Sequence, residues 1–267
     1  MLDKDDISNA DIVFILRNLL KMKYYPAAVK FFFSNKELED FKKNADYKIG
    51  LHPLTVCHLV AGARQKGATL LGTKEKLGCG NAKYIFGWKE LDKKEIKGHL
   101  KYTKNEEQAE KFIKTKKRLK SGLLAYAVAP LHKAPYKPDV IHGVCDVLQS
   151  YHIANDWCAA FDTHPFEMKT TINSSVCHGI AACYVTGKPN ITTMCSGSYT
   201  AGKTEQGEIN WIMPGSDMEP LIRWTLERTA RDGGASFPRT GETYPGFDVC
   251  KLCPYLTFVT PKGEKND

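Results

Sequence analysis

Two short stretches of this chain carry the same chemistry in the same order. Thr55-Val56-Cys57-His58-Leu59-Val60-Ala61-Gly62 runs on to Gly67, and Ser175-Val176-Cys177-His178-Gly179-Ile180-Ala181-Ala182 runs on to Gly187. A second cysteine near glycine follows each stretch, in Gly78-Cys79-Gly80 and in Cys195-Ser196-Gly197. A cysteine, a histidine, a glycine and a downstream cysteine recurring together point to an internal duplication with two thiols per copy. If the copies converge, Cys57, Cys79, Cys177 and Cys195 offer their thiolates to one metal centre. The leading cysteine of each copy falls in the first turn of an expected helix. Unpaired backbone N–H groups and the helix dipole favour negative charge there, so a lowered thiol pKa is expected. The second cysteine sits near glycine, which lets backbone amides approach sulfur, and amide hydrogen bonds to cluster sulfurs tune reduction potential.

The spacing bears on the metal. The two cysteines of a copy are 22 residues apart in the first and 18 in the second, whereas structural zinc sites draw paired ligands from two to four residues apart. Dispersed cysteines on helix starts and glycine turns suit an iron–sulfur cluster, a 4Fe–4S centre or a larger bridged one, with zinc or haem as alternatives. Cys250-Lys251-Leu252-Cys253-Pro254 adds a Cys-x-x-Cys-Pro element. It supplies metal ligands to a second centre, completes the first, or forms an exchangeable dithiol, with two merely nearby structural cysteines as the alternative. His58 and His178 are candidate catalytic proton donors. Neighbouring helical residues point roughly 100° apart, so they do not share a ligand set with the cysteines beside them; a buried, hydrogen-bonded role between the halves is the alternative. His142, Cys145, Cys158 and Cys183 read as structural. The chain lacks phosphate-loop, dinucleotide-turn, nucleophile-elbow and zinc-helix motifs, which leaves nucleotide hydrolysis and serine hydrolase chemistry without support.

The elements that must position these residues can be read in outline. Residues 9–22 carry an apolar stripe at helical spacing, and 28–33 read as a strand. The first repeat helix covers 55–65, with Thr55 able to cap it and Gly67 closing it. Strands are expected at 69–72, 123–129, 140–144, 168–172, 191–194 and 208–214, and helices at 146–160, 175–186 and 216–231, the last capped by Ser216. Gly and Pro punctuate 233–246, a loop that could close over substrate with Arg231 or Arg239 binding an anion. The fold class is α/β or α+β, a mixed sheet with helices, in two pseudo-symmetric halves built on the internal repeat. Residues 1–120 form the first half with its basic helical connector, and residues 121–267 the second with the Cys-x-x-Cys tail.

Totals bound the setting. The 267 residues are 42% hydrophobic and 25% charged, an ordinary balance for a globular chain. No apolar run approaches the ~18 residues that would cross a bilayer, so no membrane role is expected. Nine cysteines, an odd number, behind an acidic start place the protein in the reducing cytoplasm. Of the net charge of +8, residues 89–120 supply +6 through eleven lysines and one arginine against six acids. Their mixed signs at helical spacing read as a solvated face, with no nucleic-acid partner.

Pro26-Ala27-Ala28-Val29-Lys30-Phe31, the helix opened by Cys57, Leu77-Gly78-Cys79-Gly80, Lys137-Pro138-Asp139-Val140, Cys177, Gly187-Lys188-Pro189-Asn190 and Cys195 together resemble the prokaryotic family named domain of unknown function 169, DUF169. The likeness runs over roughly residues 20–230. It implies an anaerobe-associated cytoplasmic protein, brings no established activity, and carries over Cys57, Cys79, Cys177 and Cys195 as the site. Cys250, Cys253, Cys145, Cys158 and Cys183 have no counterpart in it. The expected function is an iron–sulfur protein of anaerobic metabolism, an electron carrier or small-molecule reductase with a redox partner protein. A non-catalytic carrier of a cluster, haem or corrinoid, and a zinc-stabilised interaction protein, are the alternatives.

Overall fold

A computed structural model describes residues 7–163, 168–169 and 173–231. In chain order the elements are helix α1 (Asn9–Asn18), strand β1 (Ala27–Phe32), α2 (Asn35–Asn44), α3 (Val56–Lys66), β2 (Leu70–Thr73), α4 (Gly80–Ile85), α5 (Lys93–His99), α6 (Glu106–Lys114), β3 (Ala125–Pro130), β4 (Val140–Cys145), α7 (Val147–Ala160), β5 (Met168–Lys169), α8 (Ser175–Thr186), β6 (Asn190–Thr193), α9 (Ser196–Thr200), β7 (Ile209–Pro214) and α10 (Met218–Arg231). The class is mixed α/β. One sheet runs through the molecule in the order β2-β3-β1-β4-β7-β6-β5. Its first six strands pair antiparallel, and β5 adds parallel to β6.

The strand order places β2, β3 and β1 on one side of the β1–β4 pairing, and β6, β7 and β4 on the other. In each trio the helix that carries the repeated sequence, α3 or α8, lies just before the outer strand, β2 or β6. The short helix capped by the second cysteine follows that strand: Cys79 caps α4 and Cys195 caps α9.

Strand alternation sorts the side chains onto the two faces of the sheet, where they join three buried clusters. Ala27, Val29 and Phe31 of β1, Tyr126 and Val128 of β3, Val140 of β4 and Ile212 of β7 face a cluster completed by α3, α4 and α8. Ala28, Ile141, Cys145, Trp211 and Met213 face the other way, onto α1, α7 and α10. Both faces of the central strands are therefore covered, and they read as continuous apolar runs. On that second side α7 and α10 are tied together by Asp156, 1% exposed, whose carboxylate accepts from Arg228 Nε (2.6 Å) and Nη2 (2.9 Å) and from the Thr225 hydroxyl (2.9 Å).

The repeat helices close alike and open differently. Thr55 Oγ1 accepts the His58 N–H at 3.2 Å while His58 Nδ1 accepts the Thr55 N–H at 3.1 Å, a reciprocal cap for α3. Ser174, which precedes α8, stands at φ 66° and makes no side-chain cap. Gly67 and Gly187 close the two helices in the left-handed region at φ 67° and 62°. Two boundaries move from their expected places. Helix α1 stops at Asn18. Ser216 sits in a 3-10 turn over Gly215–Asp217, bonded to Asp217 Oδ1, so it does not cap α10.

One close approach gives a direct prediction. Gly143 pairs with Trp211 across β4 and β7, and a Cβ at Gly143 would lie 2.0 Å from the indole. Trp211 is 1% exposed and cannot swing out. Gly143→Ala should therefore cost about 2–3 kcal/mol through overpacking, read as a lower denaturant midpoint with an unchanged slope.

Candidate functional site

A cavity lies where the starts of α3, α4, α8 and α9 meet. Its volume is about 190 Å³, and Cys57, Cys79, Cys177 and Cys195 all line it. Cys57 lies in the first turn of α3 and Cys177 in the first turn of α8, while Cys79 and Cys195 are the residues from which α4 and α9 start. Two glycines border the site. A Cβ at Gly197 would lie 3.7 Å from Cys195 Sγ and 3.8 Å from Cys57 Sγ, so both sulfurs border the space beside this glycine. A Cβ at Gly80 would collide with Glu95 Oε1 at 1.7 Å, so glycine beside Cys79 admits the Glu95 carboxylate to the rim.

Burial governs the thiols. It pushes the Cys57 thiol up to about 12, reinforced by the negative charge that Cys195 and Cys79 would carry. Cys177 is driven well above the ordinary thiol range by burial and then by Cys79, Cys57 and Cys195, with Lys116 opposing. Cys79 is also raised by burial, against the backbone N–H groups of Ala82 and Asn81. Burial opposes ionisation of Cys195 too, but the hydroxyls and backbone groups of Ser175 and Ser198 hold it below the ordinary range. Ser198 Oγ stands 3.5 Å from this sulfur and 2.9 Å from Ser175 Oγ. The expectation of a lowered pKa at the leading cysteines is thus reversed, because desolvation by burial is the largest effect at both Cys57 and Cys177.

Behind the wall of the cavity stands Lys116, 5% exposed. Its ammonium donates to Asn173 Oδ1 (2.6 Å), His99 Nε2 (3.2 Å), Asn81 Oδ1 (3.3 Å) and Ser174 Oγ (3.4 Å), all neutral groups that line the cavity. Among the described residues no carboxylate forms an ion pair with it. Burial lowers its pKa to about 8, and the charges drawing it back up are Cys177, Cys79, Glu95 and Cys195. His99, 1% exposed, donates from Nδ1 to the Glu95 carbonyl (2.8 Å), which leaves Nε2 as the acceptor for Lys116 and Asn173. Tyr102 closes the rim, its hydroxyl sharing a 3.3 Å hydrogen bond with Ser196 Oγ.

A model of the DUF169 family, described as uncharacterised ArCR, matches residues 15–223. The chain belongs to the DUF169 family. No curated protein and no solved structure matches it. The match encloses every cysteine of the cavity and ends before Cys250 and Cys253, which lie outside the described residues together with Arg239 and the whole 233–246 segment expected to cover a site.

The other candidates of this DUF169 chain fall away from the cavity wall. His58 is exposed and spends its ring nitrogen on the α3 cap. His178 Nε2 accepts the Lys117 N–H at 3.0 Å, and neither histidine lines the cavity. His142 is buried, its pKa lowered to about 3 by desolvation, with Nε2 on Asn210 Oδ1 at 2.9 Å. Cys145 and Cys183 are core residues, Cys145 on the opposite side of the sheet. Arg231 ends α10 with its guanidinium 5.6 Å from the Trp224 ring centroid. The histidine at the wall is instead His99, which comes from the basic connector, as does Lys116. Among the described residues no helix is long and apolar enough to cross a membrane.

Among the described residues no group of three or more His, Cys, Asp or Glu is placed to hold a single ion. A tetrahedral zinc with bonds of about 2.3 Å requires sulfurs roughly 3.8 Å apart. Here the thiols ring a space well over ten times what one water needs. Thiolate donors belong to the class that binds iron–sulfur clusters as well as zinc.

Proposed function

We propose that this DUF169 protein is an iron–sulfur protein, with Cys57, Cys79, Cys177 and Cys195 holding a 4Fe–4S or larger bridged cluster for electron transfer or reduction of a small molecule. The observation that carries the proposal is the convergence of those thiols, from matching positions in two strand–helix units, on one cavity. The matched strand order supports descent of the two halves from one duplicated unit. A bound cluster would supply one-electron redox chemistry. The residues around it would do the rest. The starts of α3 and α8 direct backbone N–H groups toward negative charge, and Lys116 supplies a fixed positive charge behind the wall. His99, Asn81, Asn173 and Ser174 hold that ammonium in place.

The cavity of about 190 Å³ is smaller than the ~300–1,000 Å³ usual for organic ligands, which favours a compact inorganic centre over haem or a corrinoid. The nine cysteines fit a reducing, cytoplasmic setting. The test is isolation without oxygen, followed by visible spectroscopy and assays of iron, acid-labile sulfide and zinc. Broad visible absorption with iron and sulfide in matching amounts is expected. A colourless protein with stoichiometric zinc, or one carrying no metal after reconstitution with iron and sulfide, would overturn the proposal.

A further inference from the structure

Most of the basic connector's exposed lysines that form no ion pair among the described residues lie on α5 and the turn after it, with Lys117 and Lys120 further along the chain. Helix α6 neutralises itself, with Lys111 bonded to Glu107 and Lys114 to Glu110, each at 2.6 Å. Helix α5 and the turn after it do not. Lys93, Lys94, Lys97, Lys101 and Lys104 are exposed, and among the described residues no carboxylate forms an ion pair with any of them. The acid within α5, Glu95, turns inward and accepts from Lys89 at 2.9 Å. This stretch also rims the thiol cavity, since Gly98, Lys101 and Tyr102 line it. Apolar surface is exposed there as well: Leu100 is 38% exposed, and Tyr199, 48% exposed, lies on α9, whose Ser196 is bonded to Tyr102.

We infer that this lysine-edged rim is the docking surface for a small acidic electron-transfer protein, with Leu100 and Tyr199 at the centre of contact. The inference rests on the proposed redox role of the cavity. An apolar centre inside a charged rim is the usual anatomy of a protein interface, and clustered charge at its edge raises the encounter rate with an oppositely charged partner. Lysine steers as a point charge. Bidentate phosphate recognition is the work of arginine, and the arginine of this connector, Arg118, is engaged with Glu90 at 2.9 Å. The chemistry of the encounter is one electron leaving the partner and one arriving at the cavity centre, with no bond made or broken.

The experiment uses the full chain and a plant-type 2Fe–2S ferredoxin, a small acidic protein, as the probe. Complex formation is measured by titration over a range of salt, and electron transfer by stopped flow. Lys93→Glu/Lys94→Glu/Lys97→Glu should slow association about tenfold or more at low salt and flatten its salt dependence, with iron and sulfide content unchanged. Lys111→Gln/Lys114→Gln, on the self-neutralised helix, should change association less than about twofold. Equal rates for the first variant and the wild type, no salt dependence, or tighter binding of the same face to RNA or anionic vesicles would overturn the inference. Because complex formation is read without the cluster, a protein that binds ferredoxin but holds no iron would count against the redox role alone. One that holds a cluster and ignores ferredoxin would count against the docking surface.

Discussion

Replacement of Cys57 or Cys177 by serine is expected to remove most of the iron and sulfide from anaerobically isolated or reconstituted protein. Both thiols are buried, Cys57 at 8% and Cys177 at 4% exposure, in the first turns of helices that face one cavity. A serine hydroxyl there keeps the volume but not the soft, polarisable donor that iron–sulfur centres require. The metal-free fold should survive, because the cavity is already sparsely filled and a serine hydroxyl can donate to a nearby carbonyl. In Cys177 the thiol already points to the Ser174 carbonyl at 3.5 Å. Cys79→Ser and Cys195→Ser should lose metal as well. The contrast is Cys145→Ser, at a site across the sheet, paired with Ile209 in a separate core cluster. It should hold its iron and lose about 1–3 kcal/mol of stability by burying a hydroxyl. Iron and sulfide assays beside thermal melts of the metal-free forms separate the two classes. Equal metal content in Cys57→Ser and wild type would remove the cavity as the site.

How far these outcomes could be seen in the sequence depends on the range of the interaction involved. The ends of α3 were legible because their determinants are local: Thr55 and His58 cap each other three residues apart, and Gly67 takes a backbone conformation that glycine accepts readily. The four cysteines could be named because the repeat marks them, but their meeting at one cavity depends on a strand order that local patterns do not encode. The connector misled for the same reason. Lys116-Lys117-Arg118 has the composition of surface, and only the tertiary fold, which brings His99, Asn173 and Ser174 to its ammonium, turns Lys116 inward while Lys117 stays exposed. His99 was hidden in the same run. The thiol pKa direction was misjudged at Cys57 and Cys177 because a helix start is visible in sequence and the depth of burial is not. Serine before α10 looked like a cap, yet the close approach of Gly215 to Pro138, whose carbonyl oxygen lies 2.1 Å from a Cβ placed there, accompanies a 3-10 turn instead.

Lys116→Met should leave the protein folded and greatly weaken its hold on the cluster. A buried ammonium whose hydrogen-bond partners are all neutral gains little from the protein alone, and its burial is costly. An anionic centre bound by thiolates in the adjoining cavity changes that balance, because it gives the ammonium an opposite charge in a poorly screened interior. Deleting one partner of a buried charge pair typically costs about 3–5 kcal/mol, equivalent to roughly a hundredfold or greater loss of retention, read as the rate of iron release to a chelator. The potential should move in a set direction. Reduction adds negative charge to the centre, a nearby positive charge favours that state, and without Lys116 the midpoint should fall. Removal of a strained, uncompensated charge should also leave the metal-free variant about as stable as the metal-free wild type. A lysine that only braces His99, Asn81 and Asn173 would behave otherwise: Lys116→Met would then lower the melting temperature of both forms together and leave the midpoint where it was.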